Sequence, residues 1–336
     1  MHLGFGGVAM KNDKTCFTSG FAPLLQSFID EKNALGYKYE SECHRLRHFD
    51  QYCLKTGQPA IMDKELVESY LSLDPNRSAK TTLNLIGLLR QFAFYLRRLG
   101  YDAYVFPAEL FPKEDHAYAP YIFTRDEMLS FLEATEKISP NREFPTRHIV
   151  LPLLFRTLYC CGLRVSEALN LTLGDIDFEK GILILKHTKD YRDRLIPLSP
   201  DLQQRYLVYR QSLHSESTFD SYFFQSDRGK QYCRVAVATN FRNLLWESGI
   251  SYGGRNKGPH LHCLRHTFSV HCLQRAMANG QELKAFLPVL SAYLGHKTFH
   301  GTQRYLHLTA ELYPDILLKL ENHCGNIIPK AGDGNE

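Results

Sequence analysis

Three prolines, Pro107, Pro112 and Pro120, fall within one short segment of weak periodicity. Proline donates no backbone N–H and disfavours a helical residue before it, so a continuous fold breaks there. The stretch before it, Phe21 to about Phe106, is helical in pattern throughout; the stretch after it mixes helical and strand patterns. A chain of 336 residues also exceeds what one core usually holds. The sequence therefore predicts a mainly α protein with a small β-sheet or hairpin. A helical domain spans 18–106, a linker 107–120 and a mixed α/β domain 121–322. Residues 1–17 read as a flexible arm and 323–336 as a mobile tail.

In the first domain, Phe21, Leu24, Leu25, Phe28 and Ile29 share one helical face. Ser41 to Leu54 gives a second helix, and Asp63 is a good N-cap for a third. The longest helix runs from Ser78 or Ala79 to Leu99, burying Leu83, Ile86, Leu89, Ala93 and Leu96, and stops at Gly100. Its other side carries Lys80, Arg90, Arg97 and Arg98. The three arginines lie close in helical angle, so two readings stand: a ridge facing phosphates, or an ordinary solvated face. In the second domain, Thr124 and Glu127 form a capping box, and 147–161 reads as a buried helix stopped by Gly162. Ile182–Leu185 and Arg194–Leu198 flank a loop as a β-hairpin, and Pro288 is expected to interrupt the helix before Leu294.

Composition narrows the class without naming an activity. Apolar residues make up 44% and charged residues 23%, which is ordinary for a globular protein. The longest apolar runs are too short to cross a bilayer, and the first ten residues have no basic start, so neither a membrane span nor a signal peptide is expected. A net charge of +4 does not announce nucleic-acid binding, and any basic patch has to be local. Nine scattered cysteines argue against a disulfide framework and for a reducing, cytoplasmic setting.

The chemistry-bearing residues lie in the second domain. Arg164 follows Gly162-Leu163, and Arg265 lies in His262-Cys263-Leu264-Arg265-His266. Fixed guanidinium groups suit the oxygens of a phosphodiester, and each of these two precedes a helix-like run from which it can project. Lys189, at the hairpin tip, reads either as a general acid for a leaving oxygen or as a solvated turn residue. His262, His266, His296, His300 and His307 can move protons near neutral pH, although His266 and His271 also read as satisfied interior histidines. No His-Glu-x-x-His run or paired Cys-x-x-Cys points to a metal. Of 19 tyrosines, Tyr305 stands nine residues after His296 in a polar, basic setting suited to a nucleophile, whereas Tyr293 reads as core and Tyr313 as helix-boundary packing.

Taken in order, Gly162-Leu163-Arg164-Val165-Ser166-Glu167, Thr188-Lys189, His262-Cys263-Leu264-Arg265-His266, Leu294-Gly295-His296 and Tyr305-Leu306-His307 resemble the tyrosine recombinase, or phage integrase, family. The spacings from Arg164 onward are 25, 73, 3, 31 and 9 residues, and the resemblance covers about Thr124 to Glu321. The helical 18–106 segment looks like the family's core-binding domain. The resemblance implies that Arg164 and Arg265 clamp the scissile phosphate and that Lys189 protonates the 5′-hydroxyl leaving group. His262 assists proton transfer on the nucleophile, His296 hydrogen-bonds a non-bridging oxygen, and Tyr305 forms a 3′-phosphotyrosyl link. Glu167 and His266 support the site. The hairpin departs from the family's common Gly-Lys-Gly, and Lys186 lies close by, which leaves the lysine assignment open.

The partners implied are double-stranded DNA, a homo-tetramer on that DNA, and accessory DNA-bending or partner recombinase proteins. No cofactor or metal is implied. The resemblance places the protein in the cytoplasm, on the nucleoid when bound, and Leu287 to His296 looks like transposon-borne members, so a mobile-element role is expected. Two other readings share parts of this pattern: a type IB-like topoisomerase, and a DNA-binding regulator whose catalytic site has lapsed. The tail from Tyr313 onward reads equally as docking on a neighbouring subunit or as packing on its own domain.

Overall fold

The structure is a computed structural model and describes residues 17–57, 60–111, 120–186, 193–254 and 258–296, with 302 and 305. The chain divides into two compact units, Met1–Tyr118 and Ala119–Glu336.

The first unit contains four helices: α1 (Ala22–Ala34), α2 (Glu40–Thr56), α3 (Lys64–Ser72) and α4 (Ala79–Arg98). Side chains start two of them. Asp63 accepts from the Leu66 N–H at 2.8 Å, and Ser78 accepts from the Thr81 N–H at 3.2 Å. The core is aromatic: the Phe28 and Phe92 rings lie 5.5 Å apart, and Phe21 sits 5.9 Å from Phe49. Buried Asp50 accepts from the backbone N–H groups of Thr18 and Ser19 at 2.7 and 3.0 Å, fixing the chain ahead of α1. Phe17, read from the sequence as the end of the arm, is buried in this core. The rest of that arm lies outside the described residues. Helix α4 buries Leu85, Leu88, Phe92 and Tyr95 besides the expected Ile86, Leu89, Ala93 and Leu96, while Leu83 is only half-buried.

The second unit is helical with one small sheet. Its helices are α5 (Arg125–Glu136), α6 (Arg147–Cys160), α7 (Val165–Asn170), α8 (Pro200–Leu213), α9 (Arg234–Glu247), α10 (Leu261–Ala278) and α11 (Leu283–Leu294). The capping box is present: Thr124 N–H donates to Glu127 Oε2 at 2.8 Å, and Glu127 N–H donates to Thr124 Oγ1 at 3.1 Å. Strands β1 (Ile176–Asp177), β2 (Ile182–Leu185) and β3 (Arg194–Pro197) form an antiparallel sheet in chain order. The register pairs Leu183 with Ile196 and Leu185 with Arg194. Buried Leu183, Leu185 and Ile196 show which face points inward, and the register puts Arg194 on that face.

Helix α6 lies at the centre of this unit and is apolar nearly all round. Phe131 of α5, Phe155 of α6 and Phe241 of α9 meet there, with ring centroids 5.3 to 6.0 Å apart. A smaller cluster joins Val270 and Leu273 of α10 to Leu287, Leu290 and Leu294 of α11, and includes Tyr305. Pro288 does not interrupt α11, contrary to the sequence expectation. It lies inside the helix on an exposed face, and the carbonyl it leaves unbonded is that of exposed Lys284, where water can satisfy it.

Because Phe155 and Phe241 are fully buried and pack on each other and on Phe131, Phe155→Ala and Phe241→Ala should each destabilise the second unit by roughly 3–5 kcal/mol. Urea unfolding of each single variant measures this, and a loss below about 1 kcal/mol would contradict the packing.

Candidate active site

Gly162 turns the chain after α6 with φ +58°. A Cβ there would stand 2.3 Å from the Phe268 ring, so both the turn and the close approach require glycine. The turn delivers Arg164 to the N-cap of α7. Glu167, on the first turn of α7, takes the Arg164 backbone N–H on Oε2 at 2.8 Å and Arg164 Nη1 on Oε1 at 2.7 Å. Arg164 Nη2 reaches the Gly295 carbonyl at 3.4 Å.

Arg265 is not at a helix start, as its sequence context suggested. It lies within α10 and is 1% exposed. Its Nη1 donates to the Gly162 carbonyl at 2.8 Å and its Nη2 to the Leu294 carbonyl. Helix α10 crosses beside α6 and α11, so a side chain from its second turn meets both turns at once. Arg265 Nη1 also stands 3.8 Å from Glu167 Oε2. Burial, then the neighbouring Arg164, lowers the Arg265 pKa to about 10, which still leaves it charged at neutral pH.

A third arginine, passed over in the sequence, completes the cluster. Arg194 Nη2 donates to Glu167 Oε2 at 2.8 Å. The available signal was a charged residue at an inward position of the alternating run Arg194-Leu195-Ile196-Pro197. Burial alone would raise the Glu167 pKa, but Arg194 and the hydrogen bonds from Arg164 hold it below the usual carboxylate value. Lys186 forms an ion pair with Asp175 at 2.7 Å. Lys189 lies outside the described residues.

The imidazoles and the phenol gather beside the arginines. His262 and His266, one turn apart on α10, meet edge to face with centroids 4.6 Å apart. His266 Nδ1 is 3.0 Å from the Tyr305 hydroxyl. Gly295 ends α11 with φ +65°, and His296 follows it with Nδ1 2.8 Å from Thr302 Oγ1. The His296 ring stacks on Tyr305 at 24° and 6.0 Å. Tyr305 is 2% exposed and contacts both His266 and His296. Of the other tyrosines, Tyr293 is half-buried and stacks on Phe268 as expected of packing, while Tyr313 lies outside the described residues, as do His300 and His307. His271 is a satisfied interior residue, with Nδ1 2.8 Å from the Tyr159 hydroxyl.

A cavity of about 420 Å³ opens beside Arg164 and His262. Arg234 and Arg242 of α9 also line it, two further cations that nothing in their sequence context singled out. In the first unit, Arg90 donates to the Phe106 carbonyl and stacks against Phe94 and Phe111. Arg97 Nε donates to the Ala103 carbonyl at 2.7 Å, and Arg98 pairs with Glu31. Lys80 is exposed on α4.

Fixed guanidinium charge, imidazoles and a phenol on one helical scaffold are the equipment of enzymes that exchange DNA strands through a tyrosine. The profile of the phage integrase family matches residues 122–311, more than half of the chain, and the chain belongs to that family, a tyrosine-type site-specific recombinase. It is 27% identical to the integrase/recombinase y4rE of Sinorhizobium fredii, over 89% of this chain and 95% of that one. It is 29% identical to the tyrosine recombinase XerA of Thermococcus onnurineus, over 68% and 72%. The fold matches that of the XerH recombinase bound to its difH substrate, with a TM-score of 0.63, 20% identity, and 89% and 84% of the two chains covered. It also matches a lambda integrase dimer on a core site, with a TM-score of 0.60, 18% identity, and 83% and 94% covered. No helix among the described residues is long and apolar enough to cross a membrane.

Burial, followed by the Arg265 charge, lowers the pKa of His262 to about 4, and the same two causes lower that of His296 to about 4. Both imidazoles therefore bind a proton less readily in the folded protein than in the unfolded chain. Between their ordinary value of 6.5 and about 4 the unfolded chain holds more protons, so stability falls as pH drops through that window. NMR titration of the DNA-free protein should find both rings neutral down to about pH 5; titration of either near 6.5 would contradict the arrangement. Replacing both by Asn should flatten the acid side of the stability profile.

Proposed function

We propose that the protein cuts and rejoins DNA strands at specific sites through a 3′-phosphotyrosyl intermediate on Tyr305, in the service of a mobile element. The observation that carries this reading is the hydrogen bond between the Tyr305 hydroxyl and His266 beside buried Arg265 and half-buried Arg164. Arg164 and Arg265 hold the non-bridging oxygens of the scissile phosphate and stabilise the charge that grows on them in the transition state. Their hold on the Gly162, Leu294 and Gly295 carbonyls supports this role, because groups already oriented need little reorganisation. With Nδ1 of His266 unprotonated, the phenol donates to it and attacks phosphorus as the proton leaves. His262 stands behind His266 to assist that transfer. His296, held at Nδ1 by Thr302, presents Nε2 to a non-bridging oxygen.

Lys189 protonates the departing 5′-oxygen, so one P–O bond breaks as another forms. The 5′-hydroxyl of a partner strand then reverses the step, and the bond energy is conserved. Two duplexes exchanging strands present four scissile phosphates, so the working assembly is a homo-tetramer on double-stranded DNA, with accessory DNA-bending or partner recombinase proteins setting its geometry. Lys80, Arg90, Arg97 and Arg98 of the first unit, with Arg234 and Arg242 beside the site, supply phosphate contacts whose hold weakens as salt rises. The resemblance of Leu287 to His296 to transposon-borne members supports the mobile-element role.

Incubation with sheared genomic DNA followed by denaturation should leave a covalent protein–DNA adduct with the protein on 3′ ends. Tyr305→Phe should give none, and Arg164→Ala or Arg265→Ala should slow its formation by roughly 10²–10³-fold. An adduct with Tyr305→Phe, or cleavage that a chelator abolishes, would overturn the mechanism. Bound DNA without any adduct would indicate a lapsed regulator. Relaxation of supercoiled plasmid without exchange between recovered sites would indicate a topoisomerase.

A further inference from the structure

Arg194 begins β3 on the face of the sheet that points into the protein. Its side chain is 10% exposed, yet only Nη2 has a hydrogen-bond partner, Glu167 Oε2 at 2.8 Å. Nε and Nη1 are buried without one. A buried guanidinium with two unpartnered nitrogens is costly, so the charge itself is what the position retains. The surroundings make room for it. A Cβ on Gly295 would stand 2.3 Å from Arg194 Nη1, so the residue before His296 must be glycine for Arg194 to lie where it does. Arg194 also contributes to keeping His296 neutral, after burial, Arg265 and Arg164.

Glu167 would otherwise be a liability. It is the carboxylate that orients Arg164, and it stands within 3.8 Å of Arg265, so its charge opposes the field that a phosphate needs. We infer that Arg194 is a positioning residue for the phosphate clamp. It anchors Glu167 Oε2 so that the carboxylate orients Arg164, and it offsets the carboxylate charge so that Arg164 and Arg265 keep theirs for the substrate. Three guanidinium groups around one carboxylate leave the cluster strongly positive; without Arg194 the carboxylate draws on the clamp arginines alone. The role rests on the recombinase reading and adds to it a residue that need not touch DNA.

The test uses the full chain and a short duplex carrying a site recovered by sequencing the adducts described above. The duplex is nicked so that cleavage is irreversible, and it is made in three forms. One has the natural phosphodiester, one a neutral methylphosphonate at the scissile position, and one sulfur in place of the leaving 5′-oxygen. Sulfur leaves without protonation, and the methylphosphonate places less negative charge on the non-bridging oxygens. Arg194→Gln should cleave the natural duplex roughly 10²-fold more slowly with unchanged duplex affinity, as expected when one fixed donor is lost from the electrostatics of a transition state. Arg194→Lys, which keeps the charge, should recover part of the rate. The Arg194→Gln defect should shrink on the methylphosphonate and persist on the sulfur duplex.

Recovery on the sulfur duplex would assign Arg194 to leaving-group protonation and overturn the inference. An equal defect on the natural and methylphosphonate duplexes would reduce it to packing and overturn it as well. If Arg194→Gln does not fold, by circular dichroism, the three duplexes are compared with Arg194→Lys, which must then show a smaller defect of the same pattern. Wild-type protein that forms no adduct on the natural duplex would sink the recombinase reading itself. Wild-type cleavage matched by Arg194→Gln would sink only the role of Arg194.

Discussion

The site is organised around one carboxylate. Glu167 takes the backbone N–H and the guanidinium of Arg164, takes Arg194 from β3, and faces Arg265 from α10. Four pieces of the second unit therefore meet at one side chain: the turn after α6, the start of α7, the sheet and α10. The turn after α11 joins through the carbonyls of Leu294 and Gly295, which accept from Arg265 and Arg164. A buried Arg265 beside a half-buried Arg164 with no carboxylate between them would be disfavoured by mutual repulsion and desolvation. The carboxylate makes the pair tolerable, and its own charge is in turn tolerable because three cations surround it.

The glycines follow from the same constraint. Gly162 and Gly295 both take positive φ, and both offer a carbonyl to an arginine while a side chain presses on the Cα where a Cβ would stand. At Gly162 the pressing group is Phe268, and at Gly295 it is Arg194. A helix-ending turn that exposes its last carbonyls is ordinarily solvated or capped. Here those carbonyls are the anchors that hold the guanidinium planes.

Local signals were the legible part of the sequence. The N-caps Asp63 and Thr124, the helix-ending Gly162 and the alternating strands around 182–197 depend on neighbours a few residues away, and each is found in the structure. Arg164, Arg265, His296 and Tyr305 were legible as a set through their motifs and order, and they meet in one cluster. Arg194 was not, because nothing within a few residues of it reveals that β3 faces Glu167, 27 residues away in sequence. Arg265 was placed at a helix start because only the run after it was read as helical, whereas the helix is already under way from Leu261. Pro288 looked like a break because a local rule was applied without knowing that Pro288 and Lys284 lie on an exposed face of the helix. The arginine face of α4 shows the same limit: helical angle gave the side, but the carbonyls of Ala103 and Phe106 decide where two of its guanidinium groups point.

The arginine cluster also bears on the state of the neighbouring histidines. Burial first, then the charge of Arg265, lowers the pKa of His262 and His296 to about 4 in the DNA-free protein, which makes them weak bases. On the mechanism proposed above, a phosphodiester entering between Arg164 and Arg265 would bring a negative charge that offsets those guanidinium groups and so relieves the repulsion felt by a protonated imidazole. The basicity of His262 and His296 would then rise on binding, so that occupation of the phosphate site tunes its own proton carriers with no moving part beyond the charge of the DNA.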